Sequence, residues 1–222
     1  MFRLKKMPEK IGSELVEMAL GVEPATIGHF RLTGFPRPAV RPAITVPRIV
    51  GPAVTLALPG ADSSLLHHAV NLLREGDVLV IDRLGDGHHA CLGGGVAFAL
   101  KNKGIAGVVI DGPVADPHEL REIGLPVWAT GVSSITTRLL GVGGEMNFAI
   151  SCGGAVVHPG DLVIADEAGV VFLPVDEAHA DIDRAASMQR AEREALKILA
   201  TNSNFGELSG ATSLVKAKLN SQ

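Results

Sequence analysis

The stretch from Val78 to Gly112, VLVIDRLGDGHHACLGGGVAFALKNKGIAGVVIDG, decides how the rest of the chain is read. It opens on a short apolar strand, Val78-Leu79-Val80-Ile81, and continues through a helix from about Gly95 to Lys103. A second apolar run, Val108-Val109-Ile110, then stops at Asp111-Gly112. Strand, helix and strand within roughly 35 residues are the signature of a right-handed crossover between two parallel strands. Parallel pairs are buried on both sides, so this half is predicted to be a doubly covered sheet.

The same alternation extends outward. Ile49 to Leu58 is β-rich, and Asp62 with Ser63 caps a helix carrying Leu65, Leu66, Val70 and Leu73. Downstream, Asp116-Pro117 opens a short helix through Glu122, and Pro126-Val127-Trp128-Ala129 reads as the next strand. Pro36, Pro38, Pro42 and Pro47 forbid a helix before the core. Ahead of them, Ile11, Leu15, Val16 and Met18 predict a helix over Pro8 to Leu20. After Gly141, glycine-rich turns separate Val156-Val157, Leu162-Val163-Ile164 and Val170-Val171-Phe172-Leu173, which read as a β-meander. A last helix runs from Asp176 to about Ala200, and its sparse apolar positions point it toward solvent or another subunit. The expected organisation is one domain: residues 1–47 as lead-in, 48–174 as α/β core, and 175–222 as terminal helix and tail.

Composition narrows the function classes. The 222 residues are 46% hydrophobic and 20% charged, an ordinary globular mix, and 26 Gly with 13 Pro favour short elements joined by tight turns. A net charge of −4 with scattered Lys and Arg supplies no basic stripe, which argues against a nucleic-acid partner. The basic start, Arg3 to Lys6, lacks the apolar run of a secretory signal, and no stretch reaches the roughly 18 apolar residues of a membrane span. Cys91 and Cys152 are too few for a disulfide framework. A cytoplasmic protein with reduced thiols is expected.

Three features carry candidate chemistry. Asp111 and Asp116 stand at the C-terminal edge of a buried strand, where ligands bind in open α/β sheets, although Asp111 could equally set a turn and Asp116 cap the next helix. Gly93-Gly94-Gly95 precede a helix whose amides could hold an anion, or the glycines could serve close packing. Gly85-x-Gly87-x-x-Ala90, with Asp111 some 20 residues on, fits a dinucleotide fingerprint, but three further glycines intervene before a helix can start. His88, His89 and His118 fall beside the same crevice as metal-site candidates. Adjacent histidines point apart, however, and read as well as loop residues.

Separate matches in the right order then resemble one family. They are Gly51-Pro52-Ala53-Val54-Thr55, Gly107 to Gly112, Leu125-Pro126-Val127 through Gly131, and Pro159-Gly160-Asp161-Leu162-Val163 with Asp166 and Gly169-Val170-Val171. The chain resembles the regulators of ribonuclease activity A and the class II 4-hydroxy-4-methyl-2-oxoglutarate aldolases. The resemblance implies a swivelling β/β/α fold, a homotrimer with sites between subunits, and a divalent cation, Mg²⁺ or Mn²⁺. It implies that Asp116 holds the metal, that Gly93, Gly94, Gly95 and Val96 form the substrate loop, and that Glu194, or Glu192, reaches a neighbour's site.

Two family side chains are missing. Ala115 stands where the aldolases carry the Arg that binds the pyruvoyl carboxylate, and Gly94 stands where they carry an acid. Arg83, His88, His89 and Arg138 are the groups nearby that could compensate. Three readings follow from the resemblance and the motifs. One is a divergent metal-dependent lyase that releases pyruvate from a 4-hydroxy-2-oxo diacid or from oxaloacetate. The others are a protein-binding regulator and a nicotinamide-dinucleotide binder.

Overall fold

The computed structural model describes residues 1–201 and 204–221. In chain order the elements are β1 (Phe2–Leu4), α1 (Ser13–Leu20), α2 (Pro24–Ile27), β2 (Arg41–Pro42), β3 (Ile49–Ala57), α3 (Ser64–Val70) and β4 (Val78–Asp82). There follow α4 (Gly94–Asn102), β5 (Gly107–Asp111), β6 (Pro113–Val114), α5 (Pro117–Ile123), β7 (Val127–Ala129), β8 (Gly131–Val132) and β9 (Gly144–Met146). The chain closes with β10 (Ile150–Cys152), β11 (Ala155–Val157), β12 (Leu162–Asp166), β13 (Gly169–Leu173), α6 (Val175–Leu199), α7 (Phe205–Leu208) and α8 (Ala211–Leu219).

The main sheet runs β1-β9-β3-β4-β5-β7-β2, with β3, β4, β5 and β7 parallel. Period-2 alternation sorts each central strand between two cores. Leu79, Ile81, Val108 and Ile110 face α3, α4 and α5, where they meet Leu66, Leu100 and Leu120. Val78, Val80, Val109 and Trp128 face the other way, onto Ile150, Cys152, Val163 and Phe172. The β12–β13 hairpin alternates in turn: Leu162, Ile164, Val171 and Leu173 cover a third core formed with α1, α2 and α6. The layers are therefore helices, sheet, hairpins, helices, in agreement with the mixed α/β reading.

Two expectations about elements change. The lead-in helix begins only at Ser13 and packs on the hairpin through Leu15 and Ala19, while Phe2–Leu4 adds a strand beside β9. The segment after Gly141 is not a single meander. β10 and β11 form a separate hairpin, and β12 pairs with β13 and with β3. The cause is the turn at Pro159-Gly160-Asp161, where Gly160 N–H donates to the Ala53 carbonyl and Ala53 N–H to that of Asp161. That exchange hands the chain to β3 instead of returning it to β11.

The loop that walls the helical side is fastened by one carboxylate. Asp62, 1% exposed, accepts hydrogen bonds from Ser64 N–H at 2.8 Å, Ser64 Oγ–H at 2.6 Å, Leu140 N–H at 3.1 Å and Val142 N–H at 2.7 Å. Burial alone would raise its pKa, but these bonds outweigh burial and hold the carboxyl far below the usual range. Its stabilisation is therefore complete above the unfolded pKa near 4 and fades as pH falls toward the folded value. Asp62→Asn is expected to cost about 3 kcal/mol near neutral pH and less near pH 3. Urea midpoints of both proteins at the two pH values check this, and a difference that does not shrink on acidification would contradict it.

Candidate active site

Helix α4 starts on glycines. Gly93 is its extended N-cap, and the first intrahelical bond runs from Ala97 N–H to the Gly93 carbonyl. The amides of Gly94, Gly95 and Val96 therefore have no acceptor within the helix, and the helix dipole places positive potential there. Asp116 answers it from 22 residues away: its Oδ2 accepts the Gly94 N–H at 3.1 Å. The carboxylate makes no cap bond to its own helix, α5, although Asp116 occupies that N-cap. Its turn and cap alternative is thereby replaced by service to a neighbouring helix. The residue is held at φ 52, ψ 50, a left-handed conformation that costs a non-glycine residue roughly 1 kcal/mol. Such conformations persist where surrounding contacts impose them, and they cluster at functional sites. Here the Ala115 N–H to Leu92 carbonyl bond, 2.8 Å, and the first bond of α5 from Leu120 N–H, 3.0 Å, supply the constraint.

The glycines are needed for space. A Cβ on Gly93 would overlap Asp116 Oδ2, and a Cβ on Gly94 would overlap a carboxylate oxygen of Glu119, with Glu119 Cδ at 2.8 Å and Cβ at 3.2 Å. Two carboxylates thus flank consecutive peptide units of the helix start. Because one sits over Gly94 and the other takes its N–H, they lie within roughly 7 Å of each other by standard bond lengths. Asp116 Oδ1 has no partner among the described residues.

A cavity of about 470 Å³ opens over this helix start, walled by Gly93–Val96, Asp116, Ser63, His67, Cys91 and Thr136-Thr137. That volume suits a small metabolite. Burial pushes the Cys91 thiol up to about 11, so it is a neutral wall and no nucleophile near neutral pH.

The dinucleotide fingerprint does not form. Gly85 and Gly87 lie in an irregular loop, well ahead of the start of α4 at Gly94. Asp111, the would-be ribose acid, is paired with Arg37 at 2.5 Å and accepts Gly153 N–H at 2.9 Å. Neither a phosphate-facing helix start nor a free acid results, and the nicotinamide reading falls with them.

A family model for RraA-like proteins, described as aldolase/RraA, matches residues 26–172. The chain belongs to the RraA-like family. It is 30% identical over 163 residues to a protein of Halalkalibacterium halodurans provisionally named a 4-hydroxy-4-methyl-2-oxoglutarate aldolase, covering 73% of this chain and 77% of that one. It is 34% identical over 113 residues to the 4-hydroxy-4-methyl-2-oxoglutarate aldolase of Thermus thermophilus, covering 51% of this chain and 68% of that protein. Among solved structures it matches Streptomyces coelicolor RraAS2, an unusual member of the RNase ES inhibitor RraA family, with TM-score 0.75 and 28% identity. That match covers 85% of this chain and 98% of the other.

Within this RraA-like frame the sequence candidates separate. Gly93, Gly94, Gly95, Val96 and Asp116 converge on one cavity. Ala115 is buried beside it, 3.5 Å from where a Gly93 Cβ would stand. Arg83 is a correction. It is fully buried, its guanidinium donates to the Leu58 and Gly60 carbonyls and to Asp86, and its stem fills the space over Gly112. Spent on fastening a loop, it is no substrate clamp. His89 is bound to Asp86 at 2.8 Å, and His118, 77% exposed, faces Glu122. His88 and Arg138 are exposed with no side-chain partner among the described residues, and Arg138 follows directly on the wall residues Thr136-Thr137. Glu194 lies on the exposed stretch of α6, paired with Lys197 at 2.7 Å, and is not among the walls of this cavity.

Sequence reasoning missed His67 and Glu119. His67 lay on a helix read only for its apolar face. Glu119 stands three residues after Asp116, a spacing that returns to the same side of a helix and could have drawn attention to it.

The metal that the family resemblance implies fits what is present. No cluster of three or more ligating side chains occurs among the described residues, so a zinc-type cage is absent there. Mg²⁺ and Mn²⁺ accept one or two carboxylates and keep several waters. Asp116, whose Oδ1 has no partner among the described residues, could supply one such carboxylate.

Proposed function

We propose that this chain is a divalent-metal-dependent lyase acting on a small 2-oxo acid. It would release pyruvate from 4-hydroxy-4-methyl-2-oxoglutarate-like diacids, from oxaloacetate, or from both. The observation that carries this reading is the Asp116 carboxylate, held in a strained conformation on the start of α4 with one oxygen free at a metabolite-sized cavity.

Each group then has a task. Asp116 would hold the cation, Mg²⁺ or Mn²⁺, whose positive charge at the keto oxygen and carboxylate favours the enolate left by carbon–carbon cleavage. The unpaired amides of Gly95 and Val96 present donors to a substrate carboxylate. Arg138, exposed and next to the wall residues Thr136-Thr137, would add a positive charge in partial replacement of the Arg lost at Ala115. The deciding experiment is pyruvate formation from each substrate with Mg²⁺ and after chelation. No metal-dependent pyruvate from either would sink the lyase reading. Ala115 favours a second reading, a protein-binding regulator as in the RNase inhibitors of the family, and that reading gains if no turnover appears.

We further propose a homotrimer, with Glu194 of one copy closing the site of the next. In support, Val132, Ile135, Leu139, Leu140 and Val142 are each 53–64% exposed along the segment that walls the cavity. An apolar run of this kind marks an interaction surface, and head-to-tail contacts close into rings. Light scattering at micromolar concentration should return three times the chain mass. A monomer would contradict both the assembly and the shared site.

A further inference from the structure

We propose that His67 sets substrate specificity by binding the distal carboxylate of a 2-oxo diacid. The inference rests on the lyase reading and adds to it where the second end of the substrate is recognised. Helices α3 and α4 are successive crossovers between parallel strands and share one core, so they run side by side in the same direction. The cavity is the trough between them, and its two sides differ. From α4 come Gly95, Val96 and Ala99, small or apolar, and a Cβ on Gly95 would meet nothing within 4 Å. From α3 come Ser63, His67 and Asn71, spaced four residues apart and hence on one side of the helix, while Leu65, Leu66 and Ala69 turn into the core.

The trough also differs from end to end. At the start of α4 stand Asp116 and the unpaired helix amides, which suit a 2-oxo carboxylate. Ser63 is tied to that end: its N–H donates to the Arg138 carbonyl at 2.9 Å, and the adjacent Thr137 N–H donates to Ala90 at 3.1 Å. His67 stands one helical turn, roughly 5 Å, beyond Ser63. A five-carbon diacid spans about the same length between its terminal carbons. The His67 side chain is exposed to the cavity and makes no hydrogen bond or ion pair among the described residues. An imidazole presents at least one N–H donor in either protonation state. Farther along, Lys103 Nζ donates to the Asn71 carbonyl at 3.1 Å and brings a positive charge to the far end. A carboxylate beside His67 therefore meets donors and a cation, with the cavity's carboxylate, Asp116, at the opposite end.

The test is calorimetric titration, with Mn²⁺ present, of 2-oxoglutarate and 2-oxopentanoate. Both lack the 4-hydroxyl that cleavage needs, and at equal chain length they differ only in the distal carboxylate. Wild type is expected to prefer 2-oxoglutarate by about tenfold to 10²-fold, the effect of one hydrogen bond to a charged group. His67→Ala should abolish the preference by weakening 2-oxoglutarate alone, His67→Glu should reverse it, and His67→Lys should retain it. His68→Ala, next along α3 but outside the cavity, should bind both ligands as wild type does. Turnover should follow binding: in His67→Ala, KM for 4-hydroxy-4-methyl-2-oxoglutarate rises while kcat holds, because the contact is the same in ground and transition states. Equal binding of the two ligands by wild type, equal weakening of both in His67→Ala, or a preference that survives His67→Glu would overturn the assignment. If wild type binds neither ligand, the lyase reading itself fails and the assignment with it, an outcome distinct from the other three.

Discussion

Asp116→Ala is expected to lower metal-dependent pyruvate release about 10²–10³-fold, the loss that follows removal of one well-placed electrostatic group. Among the described residues Asp116 is the only carboxylate residue lining the cavity, and removing it takes away both the ligand proposed for the cation and the acceptor of the Gly94 amide. Asp116→Asn separates these roles. Its amide oxygen can still accept the Gly94 N–H, and Asn tolerates the left-handed conformation at φ 52. It carries no charge, so activity should fall nearly as far while the unfolding midpoint stays close to wild type. Calorimetry with Mn²⁺ provides a readout independent of turnover: affinity should drop in both variants. Undiminished Mn²⁺ binding by Asp116→Ala would remove Asp116 from the metal site. Gly93→Ala offers a check from the opposite side, because its Cβ overlaps Asp116 Oδ2 and must displace the carboxylate without altering its chemistry.

The largest expected stability effect lies on the other face of the sheet. Trp128 on β7 is fully buried against Val109, Val163 and Phe172, and its indole N–H donates to the Asp166 carbonyl at 2.8 Å. It joins the parallel sheet to the β12–β13 hairpin by both packing and a hydrogen bond. Trp128→Ala should cost roughly 3–5 kcal/mol for the lost ring and the cavity left behind. An unpaired Asp166 carbonyl would add to that loss. Against a total stability of about 5–15 kcal/mol for a domain, the change is severe. Trp128→Phe keeps much of the volume but not the donor, and about 1–3 kcal/mol is expected. Urea unfolding of the three proteins measures the series, and a loss below about 1 kcal/mol for Trp128→Ala would show that the hairpin layer is not held through this residue. Mn²⁺ binding by the folded variants should persist, since Trp128 packs in the core opposite the one that carries α4 and α5.

Much of this protein can be read directly from its residues. The alternation through Val78–Ile81 and Val108–Ile110 determined two buried strands with a helix between them, because strand periodicity and the burial of parallel sheets are local consequences of which side chains avoid water. Asp116, shortly past the end of β5, and the glycines at the start of α4 could be picked out as candidates by position alone. Direction and partnership were decided only in three dimensions. Asp116 could cap its own helix or another, and the choice came from a contact 22 residues away that its left-handed backbone permits. Arg83 looked like a free cation until its burial against Gly112 and the bonds of its terminal nitrogens to Leu58 and Gly60 showed it turned into the protein. Apolar segments after Gly141 announced strands, but the free edge of β3 chose their partners. The absence of an acid at Gly94 was plain in the sequence. That Glu119 fills the vacated space depends on how α4 and α5 pack, and hydrophobic periodicity says which face of a helix is buried without saying which neighbour its polar side chains will meet.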